Sequence, residues 1–284
     1  MPRANTYVAG NFKGGVGKTT TIQMLGFENS QQRDDRKTLV IDMDPQGNLS
    51  QIYQQTHDNF YEDDHIEYTN TIWDILEGAP LEDSIYTILP NLDIIPANVQ
   101  FSNLPNLLIG MFPNDETSQY KYFEEKLAPL REMYDEIFID VPPTIGTYSG
   151  CAMYFADYVI LVLQTQVRSL RGAQTYIEYM KIFTQDHNTN LELVGIVPYM
   201  LQEKDTIDLE TYNTAKELYG YHLLETVVLY QARLKKYDAD GITLQVHKNG
   251  RINQWDNKAH SIFLEILYEL ESHKEELAQS TGGN

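Results

Sequence analysis

Residues 6–21 read TYVAGNFKGGVGKTTT: a short apolar run, a loop with glycine at 14, 15 and 17, and a helical pattern that begins at Lys18. Nothing else in the chain restricts the fold as much. Glycines permit the backbone angles that turn successive N–H groups inward, which makes a concave cradle for anion oxygens. The helix that follows adds the partial positive charge of its N-terminus at the same point. Such a cradle needs a strand to deliver the chain and a helix to carry it away, at the carboxyl edge of a sheet.

The strand–helix alternation continues along the chain. Apolar runs at 6–10, 38–44, 92–95, 136–141, 158–164 and 193–200 read as buried strands. Their nearly continuous, β-branched character suits a parallel sheet covered on both faces. Helical spacing occupies 18–31, 119–131, 168–184 and 208–219. The expected fold class is α/β, a doubly wound, mostly parallel β-sheet flanked by helices and joined by right-handed crossovers. No repeat, low-complexity tract or Pro/Gly/Ser linker interrupts it, so residues 1–277 are expected to form a single domain and 278–284 a flexible tail. Residues 54–68, QQTHDNFYEDDHIEY, are polar and acidic and are expected as an exposed insertion; the two histidines match no metal-ligand spacing.

Composition removes several classes. A single cysteine, Cys151, excludes an internal disulfide framework and any metal site built from several cysteines of one subunit, and fits a reducing, cytoplasmic setting. No stretch approaches the roughly 20 apolar residues that span a bilayer. The formal net charge of −20 argues against a surface coated in basic charge, although screening over about 8 Å leaves room for a local basic patch.

Three motifs carry the chemistry. At the glycine loop, Lys18 is placed to reach the β- and γ-phosphates of a nucleotide and the Thr19 hydroxyl to ligate Mg²⁺. The second strand ends in IDMDPQGNLS, where Asp42 and Asp44 stand two apart and face one side of an extended chain. Taken alone, that pair is as readily solvated as catalytic. A later apolar strand ends on Asp140 in YDEIFIDVPPT, the Walker B arrangement. The usual G-x-x-x-x-G-K-[ST] pattern asks for glycine at position 12, where this chain has Phe12 followed by Lys13.

With that extra lysine, KGGVGKTT, together with DMDPQGN at 42–48 and DVPP at 140–143, resembles the ParA/MinD family of deviant Walker A ATPases, which have a P-loop NTPase fold. The resemblance runs from about residue 5 to 272 and is loose after 195. It implies ATP and Mg²⁺ as cofactors; the guanine-specific N-K-x-D is absent. It further implies an ATP-dependent homodimer with the nucleotides sandwiched between subunits, in which Lys13 reaches the partner's phosphates. Lys13 and Asp44 would then be the catalytic residues, Asp44 orienting the attacking water. Lys13, Gly14, Gly15, Val16, Gly17, Lys18, Thr19 and Thr20 would hold the phosphates, and Thr19, Asp42 and Asp140 the metal. Pro198, Tyr199 and Met200 would meet the adenine. QTQVRSLRG at 164–172 keeps the family's Ser169 and Gly172, and implies a turn near the dimer interface.

Within this family, the resemblance is closest to a small plasmid-partition type. Such an ATPase binds double-stranded DNA without sequence preference when ATP-bound, is stimulated by a ParB-type centromere-binding protein, and is associated with the nucleoid. The densest positive region of the C-terminal third, ARLKKYDADG and HKNGRINQWDNK, supplies the DNA candidates Arg233, Lys235, Lys236, Lys248 and Arg251. A solvated charged face is the alternative for the same residues. A MinD-like membrane-associated ATPase would need a basic amphipathic C-terminal helix. The stripe Ala259, Ile262, Phe263, Ile266, Leu267 and Leu270 has the spacing, but Glu265, Glu269, Glu271, Glu275 and Glu276 oppose it. That helix is expected to pack on the body of the protein and not on a membrane.

Overall fold

The computed structural model describes residues 3–32, 36–202, 205–246 and 250–281, and within these all side chains except those of 167, 168 and 281. Eight strands form one sheet: β1 (Asn5–Gly10), β2 (Thr38–Asp42), β3 (Tyr86–Leu89), β4 (Leu92–Ile95), β5 (Glu136–Asp140), β6 (Tyr158–Gln164), β7 (Glu192–Leu201) and β8 (Val228–Leu229), in the order β3-β4-β2-β5-β1-β6-β7-β8. Every pairing is parallel except the β3–β4 hairpin at one edge. The helices are α1 (Lys18–Gln31), α2 (Asn48–Phe60), α3 (Ile72–Glu77), α4 (Leu104–Met111), α5 (Glu116–Leu127), α6 (Leu130–Met133), α7 (Thr147–Phe155), α8 (Val167–His187), α9 (Thr206–Tyr219), α10 (Ala232–Asp240) and α11 (Gln254–Thr281).

The central strands are largely apolar because both faces of the sheet are covered. Alternate residues of β1 and β2 enter different cores, as the two-residue repeat of a strand requires. Val8, Leu39 and Ile41 join Phe123, Phe155 and Phe183 on one face. Tyr7, Ala9 and Val40 join Ile22, Tyr53 and Phe263 on the other. Ala259, Phe263, Ile266 and Leu270 of α11 are buried, so the C-terminal stripe packs on the body of the protein, as expected. No helix among the described residues is long and apolar enough to cross a membrane.

Three expectations are corrected. Residues 54–60 are not a loop but the second half of α2, with Thr56 and His57 buried; the Thr56 hydroxyl accepts the Ile242 N–H at 2.9 Å. The exposed run is 59–65, of which 61–65 lie beyond α2, after which Ile66 packs back on the core. The segment 119–131 is two helices, because Ala128-Pro129 interrupts the pattern after Leu127. At the end, α11 continues to Thr281, so the first part of the expected tail is helical and 282–284 lie outside the described residues.

Candidate nucleotide-binding site

The loop leaving β1 is pinned before it reaches its glycines. The Asn11 side chain donates to the Val162 carbonyl at 2.8 Å and accepts the Lys13 N–H at 2.9 Å. Gly15 and Gly17 then take φ values of +70° and +97°, the left-handed region that favours glycine. Gly17 has a second reason to lack a side chain: a Cβ there would stand 2.3 Å from the Tyr199 ring. Gly14 turns toward Pro143, the second proline of DVPP. Val16 and Lys18 are buried, and burial lowers the Lys18 pKa against the opposing pull of Asp140 and Asp44.

The parallel register Asp42↔Asp140 brings the ends of β2 and β5 level beside this loop. Thr19 Oγ1 donates to Asp140 Oδ2 at 2.7 Å, while Asp140 Oδ1 is buried with no partner. Burial pushes the Asp140 pKa up to about 7, with the charge of Asp42 adding to the rise and Thr19 and Lys18 drawing it back. A hydroxyl and a carboxylate with one open oxygen are a hard donor set of the kind Mg²⁺ takes. The residues present fit that ion.

Asp42 has a different environment. One of its oxygens accepts the Asp44 N–H at 2.9 Å, and the other accepts the Ser50 N–H and hydroxyl at 2.9 and 2.7 Å. Burial raises its pKa to about 6, and these bonds from Ser50 and Asp44 restrain the rise. Both oxygens are therefore engaged within the protein, where they anchor the turn that carries Asp44 and the first turn of α2. The buried oxygen left without a partner belongs to Asp140.

A cleft of about 540 Å³ opens above these groups, lined by residues 15–20 of the loop, by Asp44, Gln46, Asn48, Gln51 and Ile52, and by Tyr199, Met200 and Asp238. Asp44 is partly buried on its wall, with Oδ1 accepting the Gln46 N–H at 3.0 Å. Met200 is held at φ +61°, unusual for a side chain of its size. Pro198 is buried within β7 and does not reach the cleft, so of the three expected adenine contacts only Tyr199 and Met200 line it. Lys13 is also absent from the lining. Its exposed ammonium donates to Gln164 Oε1 at 3.2 Å and to Gln166 Oε1 at 2.9 Å, at the end of β6 and just before α8.

Asp238 carries no local motif, and sequence reasoning missed it. It lies on the last turn of α10, 218 residues from Thr20, whose hydroxyl donates to its Oδ1 and Oδ2 at 3.1 and 3.3 Å. Gln23 Nε2 donates to the same Oδ1 at 3.1 Å. The one pointer in the sequence is the stretch ARLKKYDADG itself, singled out for its charge.

Among the described basic candidates, Arg233 does not share the exposed setting of the others. Lys235 and Lys236 are exposed on α10, Lys235 lying over the Tyr230 ring with its ammonium 5.0 Å from the centroid. Arg233 is turned inward and is corrected from surface cation to structural partner. Its guanidinium bonds Asp256, which is wholly buried and also accepts from the Tyr237 hydroxyl and the Gln245 N–H. Arg251 is exposed beside Ile252, which pairs with Val246; Lys248 lies outside the described residues.

The model of the AAA domain family matches residues 4–193. The chain is 28% identical to the chromosome partitioning protein ParA of Myxococcus xanthus over 233 residues, covering 81% of this chain and 77% of that protein. It is equally 28% identical to the chromosome-partitioning ATPase Soj of Treponema pallidum over 241 residues, 84% of this chain and 88% of that one. Among solved structures, a variant of Cyanothece McdA in complex with ATP superposes with a TM-score of 0.74 at 19% identity, covering 98% of both chains.

Proposed function

We propose, for a chain that belongs to the AAA domain family and within it to the ParA/MinD type, a Mg²⁺-dependent ATPase of DNA partition that works as an ATP-bound homodimer. The observation that carries this reading is the Thr19–Asp140 pair with its unpartnered Oδ1, set at the foot of a glycine loop whose second lysine is held outside the subunit's own cleft. The related Soj is named an ATPase, and the related ParA and Soj both act in chromosome partitioning.

Each group then has a role. Residues 14–20 wrap the triphosphate, with Lys18 offsetting its charge and Thr19 and Asp140 holding Mg²⁺, which when bound screens the phosphates during transfer. Asp42 fixes the turn by which Asp44 faces the cleft, and Asp44 orients the attacking water. Tyr199 and Met200 meet the adenine. Lys13, whose ammonium bonds two neutral amides among the described residues of its own subunit, exchanges them for a phosphate of the partner subunit, where its charge is best placed to stabilise the transferring group. Dimerisation doubles the Lys235 and Lys236 surface and so raises affinity for duplex DNA without sequence preference. A ParB-type centromere-binding protein stimulates turnover, and the DNA-bound form is nucleoid-associated.

The test is a titration of duplex DNA into the protein with and without a slowly hydrolysed ATP analogue, repeated with anionic liposomes. Analogue-dependent DNA binding without liposome binding is expected. Liposome binding without DNA binding would replace this reading by a membrane-associated one.

A further inference from the structure

We infer that Asp238 reads the ribose of the nucleotide, its carboxylate accepting the 2′- and 3′-hydroxyls, and that α10 is thereby held against the occupied cleft. The inference rests on the reading of the cleft as an ATP site.

Position comes first. The hydrogen bond from Thr20 sets the carboxylate beside the last residue of the phosphate-holding stretch 14–20, one position beyond the proposed metal ligand Thr19. A carboxylate placed against phosphate would be repelled, so the ligand group that meets Asp238 must be uncharged and rich in donors. The ribose is the part of ATP joined to the phosphates, and its two hydroxyls are donors. An ionised carboxylate offers about four lone-pair sites. Here Oδ1 accepts from both Thr20 and Gln23, while Oδ2 has, among the described residues, the longer 3.3 Å contact with Thr20 and keeps capacity to spare. The same two donors favour the ionised form, against the upward push of burial on the Asp238 pKa.

The position of Asp238 in its helix gives the contact a consequence. Lys235 and Lys236 precede it on α10, and Arg233 and Tyr237 tie that helix to Asp256 of α11. A ribose bound at Asp238 adds the nucleotide to the attachments of a helix already joined to α1 and α11.

The experiment measures, by calorimetry on the full chain with Mg²⁺, the dissociation constants of ATP, 2′,3′-dideoxy-ATP and ITP. A site built to hydrogen-bond a hydroxyl rejects the analogue that lacks it. The parent protein is expected to bind dideoxy-ATP about 10- to 100-fold more weakly than ATP, a range typical of hydrogen bonds to charged groups. In Asp238→Ala the two nucleotides should bind alike, ATP having lost the difference. Asp238→Asn, which keeps one carbonyl acceptor, should fall between. Equal affinities for ATP and dideoxy-ATP in the parent would overturn the proposal, whether or not the variants fold. So would a preference for ATP that persists in Asp238→Ala. A penalty on ITP in place of dideoxy-ATP, abolished by the same substitution, would move Asp238 to the base and equally overturn it. Failure of the parent to bind any of the three would instead refute the reading of the cleft as a nucleotide site.

Discussion

Replacing Asp140 by asparagine removes a negative charge from a position that is 1% exposed, and the surroundings set both the sign and the size of the effect. Burial, then the nearby charge of Asp42, raises this carboxyl from its ordinary 3.8 to about 7. Between those two values the folded protein binds more protons than the unfolded chain. The contribution of Asp140 to stability is therefore fully present below about pH 4 and is lost as the pH climbs through 7. A shift of that size corresponds to about 4 kcal/mol at about 1.4 kcal/mol per unit. Local relaxation and water entry lower the realised cost, leaving about 1–3 kcal/mol.

Asp140→Asn is nearly isosteric and its amide oxygen can still accept from Thr19. Without nucleotide or metal, the variant is expected to be more stable than the parent by about 1–3 kcal/mol at pH 8, or about 2–6 °C in melting temperature for a chain of this size. The advantage should shrink as the pH falls from 8 and vanish only below about pH 4, where the carboxyl is protonated in the folded and the unfolded chain alike. The same variant should lose Mg²⁺-dependent ATP hydrolysis, the usual exchange when a strained functional group is neutralised. Thermal melts in chelator at pH 5, 6.5 and 8 measure this. A difference that does not change with pH, or a variant less stable than the parent at pH 8, would refute the argument that buried charge dominates at this position.

Asp44→Ala should keep ATP and DNA binding while slowing phosphate release by about 100-fold or more; undiminished release would remove Asp44 from its role. Gly17→Ala combines a backbone angle of +97° with a collision against Tyr199, and should lower stability by about 1–3 kcal/mol and abolish ATP binding. An unchanged melt and unchanged affinity would show that the loop can rearrange freely. Arg233→Ala leaves Asp256 buried without its cation and should destabilise by about 3 kcal/mol. Lys235→Glu with Lys236→Glu should leave the melt within about 0.5 kcal/mol and weaken DNA binding. Undiminished binding of the double variant to duplex DNA at matched salt would overturn the surface assignment.

Where the sequence was legible, the signal was local. The runs at 92–95 and 158–164 coincide with β4 and β6, because a strand covered on both faces is nearly continuous in apolar residues. The helix pattern at 18–31 coincides with α1. The edge strands β3 and β8, of four and two residues, offer too few positions for any period to show. Helix α2 hid its stripe Leu49, Ile52, Tyr53 and Thr56 among glutamines, asparagines and aspartate, so its second half read as loop. At the site, the loop, Asp44 and Asp140 were readable because each closes a strand with a short motif. Arg233 was not, since a sequence shows that a side chain is charged but not that a buried acid 23 residues later will turn it inward.

The same limit explains why Asp238 was missed, and its position changes how the two halves of the proposed activity relate. The exposed lysines and the cleft carboxylate share one nine-residue helix, so no long route is needed between the proposed nucleotide site and the surface proposed to meet DNA. Coupling between sites requires an element that both ligands bias. Helix α10 meets that requirement physically. It touches α1 through Asp238 with Thr20 and Gln23, and α11 through Arg233 and Tyr237 with Asp256, while α1 and α11 are themselves joined by the buried Glu28–His260 pair. Because Leu234 and Tyr237 are buried and these bonds tie α10 to both helices, a change at the cleft that displaces α10 would draw on its neighbours as well. The lysines it carries would then be displaced with it, which makes the helix as a whole, and no single cation on it, the responsive part of the surface.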